Sequence, residues 1–182
     1  MRCLVVEMRK RLLGEEQPNT LTWIGNLAST YLNQGTCQEA RELFLQIVWT
    51  KKRLLGHAHL DTLNSIGNLA STYRKQGRWK EAEVLEVPVM ETFKREFGPE
   101  HPNTLTSMNN LALTYQNQRR WKEAEKLFVQ IIEKFKRLFG QEHRNTLTSM
   151  GNLRSTYRKS RLPMENEELQ IVVIFENRHI GT

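Results

Sequence analysis

Four asparagines recur at one fixed interval, and they are the residues of this chain best suited to recognition chemistry. Asn26, Asn68, Asn110 and Asn152 follow one another at intervals of 42 residues. A carboxamide offers both a hydrogen-bond donor and an acceptor, which are the two groups that a peptide unit needs. The same side chains could instead bond neighbouring helices and hold repeated units in register. The sequence leaves both interpretations open.

We call residues at equivalent positions of successive units, 42 residues apart, a column. Lysines and arginines form two more columns of this kind. A double column of lysine and arginine could form a basic ridge for nucleic acid or an acidic membrane surface. Cations are also favourable in the last turns of helices, and glutamates interrupt the ridge, so helix-end stabilisation is the favoured interpretation. The members are Lys10, Lys52, Lys94 and Lys136 with Arg11, Arg53, Arg95 and Arg137.

Histidines form a further column, but their spacing argues against a metal site. His59, His101 and His143 lie in loops between units. Metal ligands must converge on one ion, whereas stacked repeats are roughly 10 Å apart. We therefore expect these histidines to form hydrogen bonds within their loops, and we expect no cofactor. Asp61 is the only aspartate, no phosphate loop or nucleophile motif is present, and the chain is predicted not to be an enzyme.

The elements that must position these columns are repeated helix pairs. The segment TLTWIGNLASTY at Thr20 returns in related form at Thr62, Thr104 and Thr146, which is typical of a solenoid. Apolar residues at 3-and-4 spacing predict amphipathic helices. Alanines recur in both helices of each unit and should allow close packing: Ala28, Ala70 and Ala112 in the first, Ala40, Ala82 and Ala124 in the second.

These residues resemble the tetratricopeptide repeat (TPR). The family pattern corresponds here to Leu69-Ala70, Tyr73, Gly77, Trp79, Ala82 and Leu85. The ordinary repeat has about 34 residues, and the longer 42-residue form is similar to the kinesin light chain branch. The wording GPEHPNTLTSMNNLALTYQNQRRWKEAEKL is similar to TPR arrays of fungal NOD-like receptor proteins. The resemblance implies an all-α fold, a right-handed TPR superhelix (an α-α solenoid) of about nine antiparallel helices.

The period predicts where the units lie and which of them depart from the pattern. We expect the second helix of a truncated repeat at 1–14, repeats at 15–56, 57–98 and 99–140, and a degenerate repeat or C-terminal cap at 141–182. Pro88 should kink its helix at a cost of about 3 kcal/mol. Arg154 replaces a small alanine, so its unit must either pack loosely or expose that face.

The resemblance also implies a site. In TPR proteins the first helices line a concave groove, and asparagines in this column grip an extended peptide. Arginines and lysines at its edge favour an acidic peptide. The implied site comprises Asn26, Asn68, Asn110 and Asn152 with Ser29, Ser71, Asn64, Arg74, Lys75, Asn109, Asn117, Arg158 and Lys159.

Composition narrows the class of protein further. The formal net charge is +7, and the longest apolar run, Ile171 to Phe175, is too short to cross a membrane. Cys3 and Cys37 do not suggest a disulfide framework, and no secretory signal is apparent, so a cytoplasmic location is expected. The main hypothesis is a protein-binding scaffold. The alternatives are nucleic-acid binding through the ridge, or self-association through the half-repeat at the start and the Ile171–Phe175 segment.

Overall fold

The computed structural model describes Gly14 and residues 16–160, and these form helices without any strand. Seven helices follow one another, with short loops between them. We number them α1 (Pro18–Asn33), α2 (Cys37–Leu55), α3 (Leu60–Lys75), α4 (Trp79–Phe97), α5 (Pro102–Asn117), α6 (Trp121–Phe139) and α7 (Arg144–Ser160). The first helices of the repeats are therefore α1, α3, α5 and α7, and the second helices are α2, α4 and α6.

The predicted loop histidines fix the starts of three first helices. The His59 Nδ1 atom accepts a hydrogen bond of 3.2 Å from the backbone N–H of Asp61. His101 accepts from Asn103 at 3.2 Å, and His143 accepts from Asn145 at 3.3 Å. Each bond satisfies one of the amide groups that a helix start leaves without an intrahelical partner. The expectation of hydrogen bonding within the loops is confirmed.

The first helices end on left-handed residues, as the glycines predict. Gly35 and Gly77 have φ angles of 82° and 72°. Arg119 occupies the corresponding place in the third repeat and adopts the same conformation, with φ of 62°. It is the only residue other than glycine with positive φ in the described part of the chain. A Cβ in this conformation is sterically unfavourable, so the third repeat keeps this turn at some cost.

The buried faces follow the apolar pattern of the sequence. All six predicted alanines are 0% exposed, so the small residues of both helices lie in the interior of the repeats. Large side chains such as Ile24, Phe128 and Leu153 fill the remaining interior.

In the second repeat and again in the third, an arginine links the two helices of that repeat. The Arg78 guanidinium lies 4.7 Å from the centre of the Tyr73 ring and donates to Glu81 at 2.8 Å. In the next repeat Arg120 lies 4.1 Å from the Tyr115 ring centre and donates to Glu123 at 2.8 Å. The cation therefore contacts the end of the first helix and the start of the second.

The chain divides into two compact units, residues 1–92 and 93–182. In unit 1, α2 packs against both α1 and α3. In unit 2, α6 packs against α5 and α7, and α5 also contacts α7. Each unit thus repeats one arrangement, in which a second helix lies between two first helices.

Two departures from the repeat pattern lie in described helices, and the kink expected at Pro88 stays a prediction. Helix α4 runs through Pro88 for 19 residues, the same length as α2 and α6, and Pro88 is exposed. Arg154 is exposed on α7, where Ala28, Ala70 and Ala112 are buried. Of the two possibilities predicted for Arg154, the structure shows the exposed face.

Of the roughly nine helices predicted, seven lie in the described residues. The other two were placed in 1–14 and in the second half of 141–182, which lie outside the described residues except for Gly14. Lys10, Arg11, Cys3 and the Ile171–Phe175 segment lie outside them as well.

Candidate functional site

Charge is distributed unequally between the first and second helices. Among the described first helices, α1, α5 and α7 contain no acidic residue and α3 contains only Asp61. The described second helices carry all the remaining helical glutamates. Cations occur on both classes, and α7 alone holds Arg144, Arg154, Arg158 and Lys159. The first helices therefore carry almost no negative charge; α1 and α5 are uncharged, and the cations of this class lie on α3 and α7.

In unit 1 the asparagines of the predicted site are open to solvent. Asn26 on α1 and Asn68 on α3 are both exposed, and neither carboxamide has a hydrogen-bond partner within the described residues. Their backbone carbonyls accept from the hydroxyls of Thr30 at 2.9 Å and Thr72 at 3.0 Å. The carboxamides themselves stay available to a ligand.

The other predicted polar residues of unit 1 lie on the same two helices. Asn64 and Ser29 are exposed, and Ser71 is half-buried. Lys75 is exposed, and its ammonium lies 3.4 Å from the Asn33 Oδ1 atom of the preceding first helix.

Arg74 differs from the other cations of the predicted site. Its Nε lies 3.3 Å from the Glu86 Oε1 atom, and the side chains are 15% and 4% exposed. Burial lowers the pKa of Arg74, and the neighbouring Glu86 carboxylate partly opposes that effect. Arg74 thus lies mostly in the interior of unit 1, with its charge engaged by Glu86.

In unit 2 the asparagines have a structural contact. Asn152 on α7 donates from Nδ2 to the Asn109 Oδ1 atom on α5 at 3.2 Å. Asn152, Asn109 and Asn110 are all half-buried. This bond joins the first helices of two successive repeats, so register-holding is an observed role of the asparagine column in this unit.

A buried glutamine, which the sequence reasoning missed, extends this connection. Gln116 is 5% exposed and donates from Nε2 to the Thr156 hydroxyl at 2.8 Å. Its Oε1 accepts from the Lys159 ammonium at 3.2 Å. The 42-residue column gave no signal, because it contains Leu32, Arg74 and Arg158 at the equivalent places.

The last predicted residues of unit 2 have different surroundings. Asn117 is exposed, and its Nδ2 donates to the backbone carbonyl of Leu113 at 2.7 Å. Arg158 is exposed beside Lys159 at the end of α7.

The described arginines of the basic ridge are paired with glutamates. Arg53 pairs with Glu16 and Arg137 with Glu100. Arg95 lies 2.8 Å from the Glu96 carboxylate. All three lie in or near the last turns of second helices, where a cation is favourable.

The described residues carry neither a membrane-spanning helix nor a metal-binding cluster. No described helix is both long enough and apolar enough to span a membrane. No cluster of three or more histidine, cysteine or acidic side chains in residues 16–160 could hold a metal ion.

Paired helices with small residues at their contacts, repeated every 42 residues, define a TPR protein. A tetratricopeptide-repeat family model matches residues 20–61, 62–103 and 104–145, which is more than half of the chain, and the chain belongs to this family. The matched segments keep the 42-residue period, with starts later than the units predicted at 15, 57 and 99. The repeats form a protein–protein interaction scaffold.

Solved structures place the fold beside kinesin light chain repeats. Two crystal structures show a Podosopora anserina protein that is assigned to the kinesin light chains and has TPR-like repeats nearly identical to one another. Each is 27% identical in sequence to this chain. The Q17M form has a TM-score of 0.81 over 97% of this chain and 82% of that chain. The other form has a TM-score of 0.78, with coverage of 100% and 86%.

A third solved structure shares the fold alone. BtubC (BKLC) from P. vanneervenii is 22% identical, with a TM-score of 0.73 over 87% of this chain and 63% of that chain. The sequence has no match among curated proteins.

Proposed function

We propose that this chain is a non-enzymatic cytoplasmic scaffold that binds an extended, acidic segment of a partner protein along its first helices. The observation that carries the proposal is the exposure of Asn26 and Asn68 on two successive first helices of unit 1. Neither carboxamide has a hydrogen-bond partner among residues 16–160, and each can offer a donor and an acceptor to a peptide backbone.

The spacing of the two asparagines suits an extended ligand. Successive repeats are separated by roughly 10 Å, the usual distance between packed helices. An extended peptide advances about 3.3 Å per residue, so neighbouring asparagines would reach peptide units about three residues apart. Asn64, Ser29 and Ser71 supply further polar groups on the same two helices.

The preference for acidic segments follows from charge. The described first helices carry a single acid, Asp61, and Lys75 is exposed at the end of α3. In unit 2, Arg158 and Lys159 are exposed cations at the end of α7. Arg74 contributes less direct contact than its position in the sequence suggests, because Glu86 already engages its charge.

The nucleic-acid alternative has weaker support. Its arginines at 53, 95 and 137 each contact a glutamate, which reduces the positive field that a phosphate backbone would need. Self-association through the chain ends depends on residues outside the described part.

An array of peptides of acidic, neutral and basic composition tests the proposal. Peptides of about ten residues span roughly 33 Å when extended, enough to cross several repeats. Retention of acidic members over neutral and basic ones supports the proposal. Equal retention of all three classes, or of none, contradicts it. Parallel binding to a DNA duplex, with a steep loss of affinity as salt rises, would favour the ridge instead.

A further inference from the structure

Helix α2 exposes an apolar stripe that the other second helices lack. Trp49 is 65% exposed and Leu45 is 43% exposed. The positions that correspond to Trp49 in α4 and α6 hold Glu91 and Glu133, which are both exposed. A bare tryptophan therefore replaces a solvated glutamate at this single place among the described second helices.

The stripe has the spacing of a coiled-coil seam. Gln38, Glu42, Leu45, Trp49 and Lys52 follow one another at alternating intervals of four and three residues. Side chains at this spacing lie along one side of a helix and can pack against a second helix. The apolar pair lies in the middle of the seam, with a glutamate before it and a lysine after it.

The order of the residues in this seam lets the helix pair with an antiparallel copy of itself. If two copies of α2 lie antiparallel with Ile47 at the centre, Leu45 faces Trp49 of the other copy, because both pairs of positions are symmetric about residue 47. The same register places Glu42 opposite Lys52. A two-fold interface requires this kind of self-complementary surface.

Neither neighbouring second helix could pair with itself in this way. In the equivalent register Val87 would face Glu91 on α4, and Val129 would face Glu133 on α6. Each pairing would bury a carboxylate against an apolar side chain, which is unfavourable.

The charged groups around the seam are compatible with pairing. Glu42 is exposed and accepts from Gln38 Nε2 at 3.0 Å, which leaves carboxylate capacity for a second partner. Arg53 lies 5.2 Å from the Trp49 ring centre and pairs with Glu16. It covers part of the tryptophan and still leaves most of it in water.

We propose that the outer face of α2 binds a second copy of this chain in an antiparallel, two-fold arrangement centred on Ile47. The partner is a second copy of this chain, because only the antiparallel two-fold arrangement pairs Glu42 with Lys52 and Leu45 with Trp49 at the same time. The seam from Gln38 to Lys52 is about 21 Å long at 1.5 Å per residue, so the dimer is small and dissociates readily. The proposal does not depend on the peptide site of the first helices.

Sedimentation over about a hundredfold range of concentration, which suits a weak interface, tests the proposal. The wild-type chain should shift from monomer to dimer. Trp49→Glu installs the residue that α4 and α6 carry at this position, so it should fold normally. It should raise the dimer dissociation constant at least about tenfold, as expected for an interface centred on a tryptophan. A wild-type monomer throughout, or a dimer that W49E leaves unchanged, overturns the proposal.

Charge exchange supplies a second test that does not depend on the tryptophan. Glu42→Lys and Lys52→Glu should each weaken self-association, because like charges then face each other. An equimolar mixture of the two variants should associate more strongly than either alone, since every substituted position faces an opposite charge. A mixture no stronger than its components overturns the antiparallel register. A monomer that captures another protein through Trp49 also overturns it and leaves the face to a partner of different sequence.

Discussion

Arg74 and Glu86 lie 3.3 Å apart inside unit 1, at two positions that the preceding repeat fills with Leu32 and Phe44. Phe44 is 2% exposed, and its counterpart Phe128 in the third repeat is 0% exposed. The second repeat therefore carries an ion pair where the first repeat carries two apolar residues. Removing two charges from water costs about as much free energy as their attraction returns, so the pair contributes little to stability.

Replacing one member of this pair should be more harmful than replacing both. Glu86→Gln would remove the carboxylate charge beside the buried Arg74 guanidinium and should lower the free energy of unfolding by about 3 kcal/mol. The double substitution Arg74→Leu with Glu86→Phe restores the residues of the first repeat. It should be neutral or stabilising, by up to about 4 kcal/mol.

Denaturant unfolding of both variants measures these effects. Glu91→Gln is the matched control, because Glu91 is an exposed glutamate on the same helix. If Glu86→Gln lowers the free energy of unfolding no more than this control does, the Glu86 carboxylate does not stabilise the buried charge of Arg74.

The turn at Arg119 should be improved by glycine. Arg119 has φ of 62°, whereas the same turn in the second repeat uses Gly77 with φ of 72°. Arg119→Gly should raise the free energy of unfolding by about 1 kcal/mol, because glycine has no Cβ to clash in this conformation. The reciprocal change, Gly77→Arg, should lower it by a similar amount. Equal stability of wild type and Arg119→Gly in denaturant would show that the third repeat bears no strain there.

The Glu81 carboxylate should make stability depend on acid pH. The hydrogen bond from Arg78 lowers the pKa of Glu81 below its ordinary value of 4.5. The unfolded chain therefore binds a proton more readily than the folded chain does. The stabilisation is complete above that ordinary value and is lost as the pH falls through the lower folded pKa.

Glu81→Gln should consequently flatten the stability curve below about pH 4.5. Thermal melts of wild type and variant at a series of acid pH values measure the difference, with Glu91→Gln as the control. Parallel curves for wild type and Glu81→Gln would contradict the role of the Arg78 bond.

The fold was predictable from the sequence because its signals repeat. Each amphipathic helix, small alanine and loop histidine occurs several times at one interval, so accidental patterns are averaged out. The histidine caps illustrate this, since three equivalent residues form three equivalent bonds. The helices outside residues 16–160 stay a prediction.

The site was less predictable, because residues at equivalent positions of the repeats have different neighbours. Asn68 and Asn152 share a column, yet one is exposed and the other donates to Asn109. The difference comes from the neighbours: position 109 is an asparagine that can accept a bond, whereas Gly25 and Gly67 occupy its place in unit 1. The pairing of Arg74 was hidden for the same reason, because Glu86 stands where the first and third repeats carry Phe44 and Phe128.

The most direct test of the peptide site compares two double substitutions in the same column. Asn26→Ala with Asn68→Ala removes the exposed carboxamides of unit 1, while Asn110→Ala with Asn152→Ala is the matched change in unit 2. Fluorescence anisotropy would measure the affinity of each variant for an acidic peptide that the wild-type chain retains, after melts show that both are folded. Loss of at least about tenfold in affinity for the unit 1 variant, equal to about 1.4 kcal/mol, with a smaller loss for the unit 2 variant, is the predicted result. Unchanged affinity in the unit 1 variant would contradict recognition by Asn26 and Asn68.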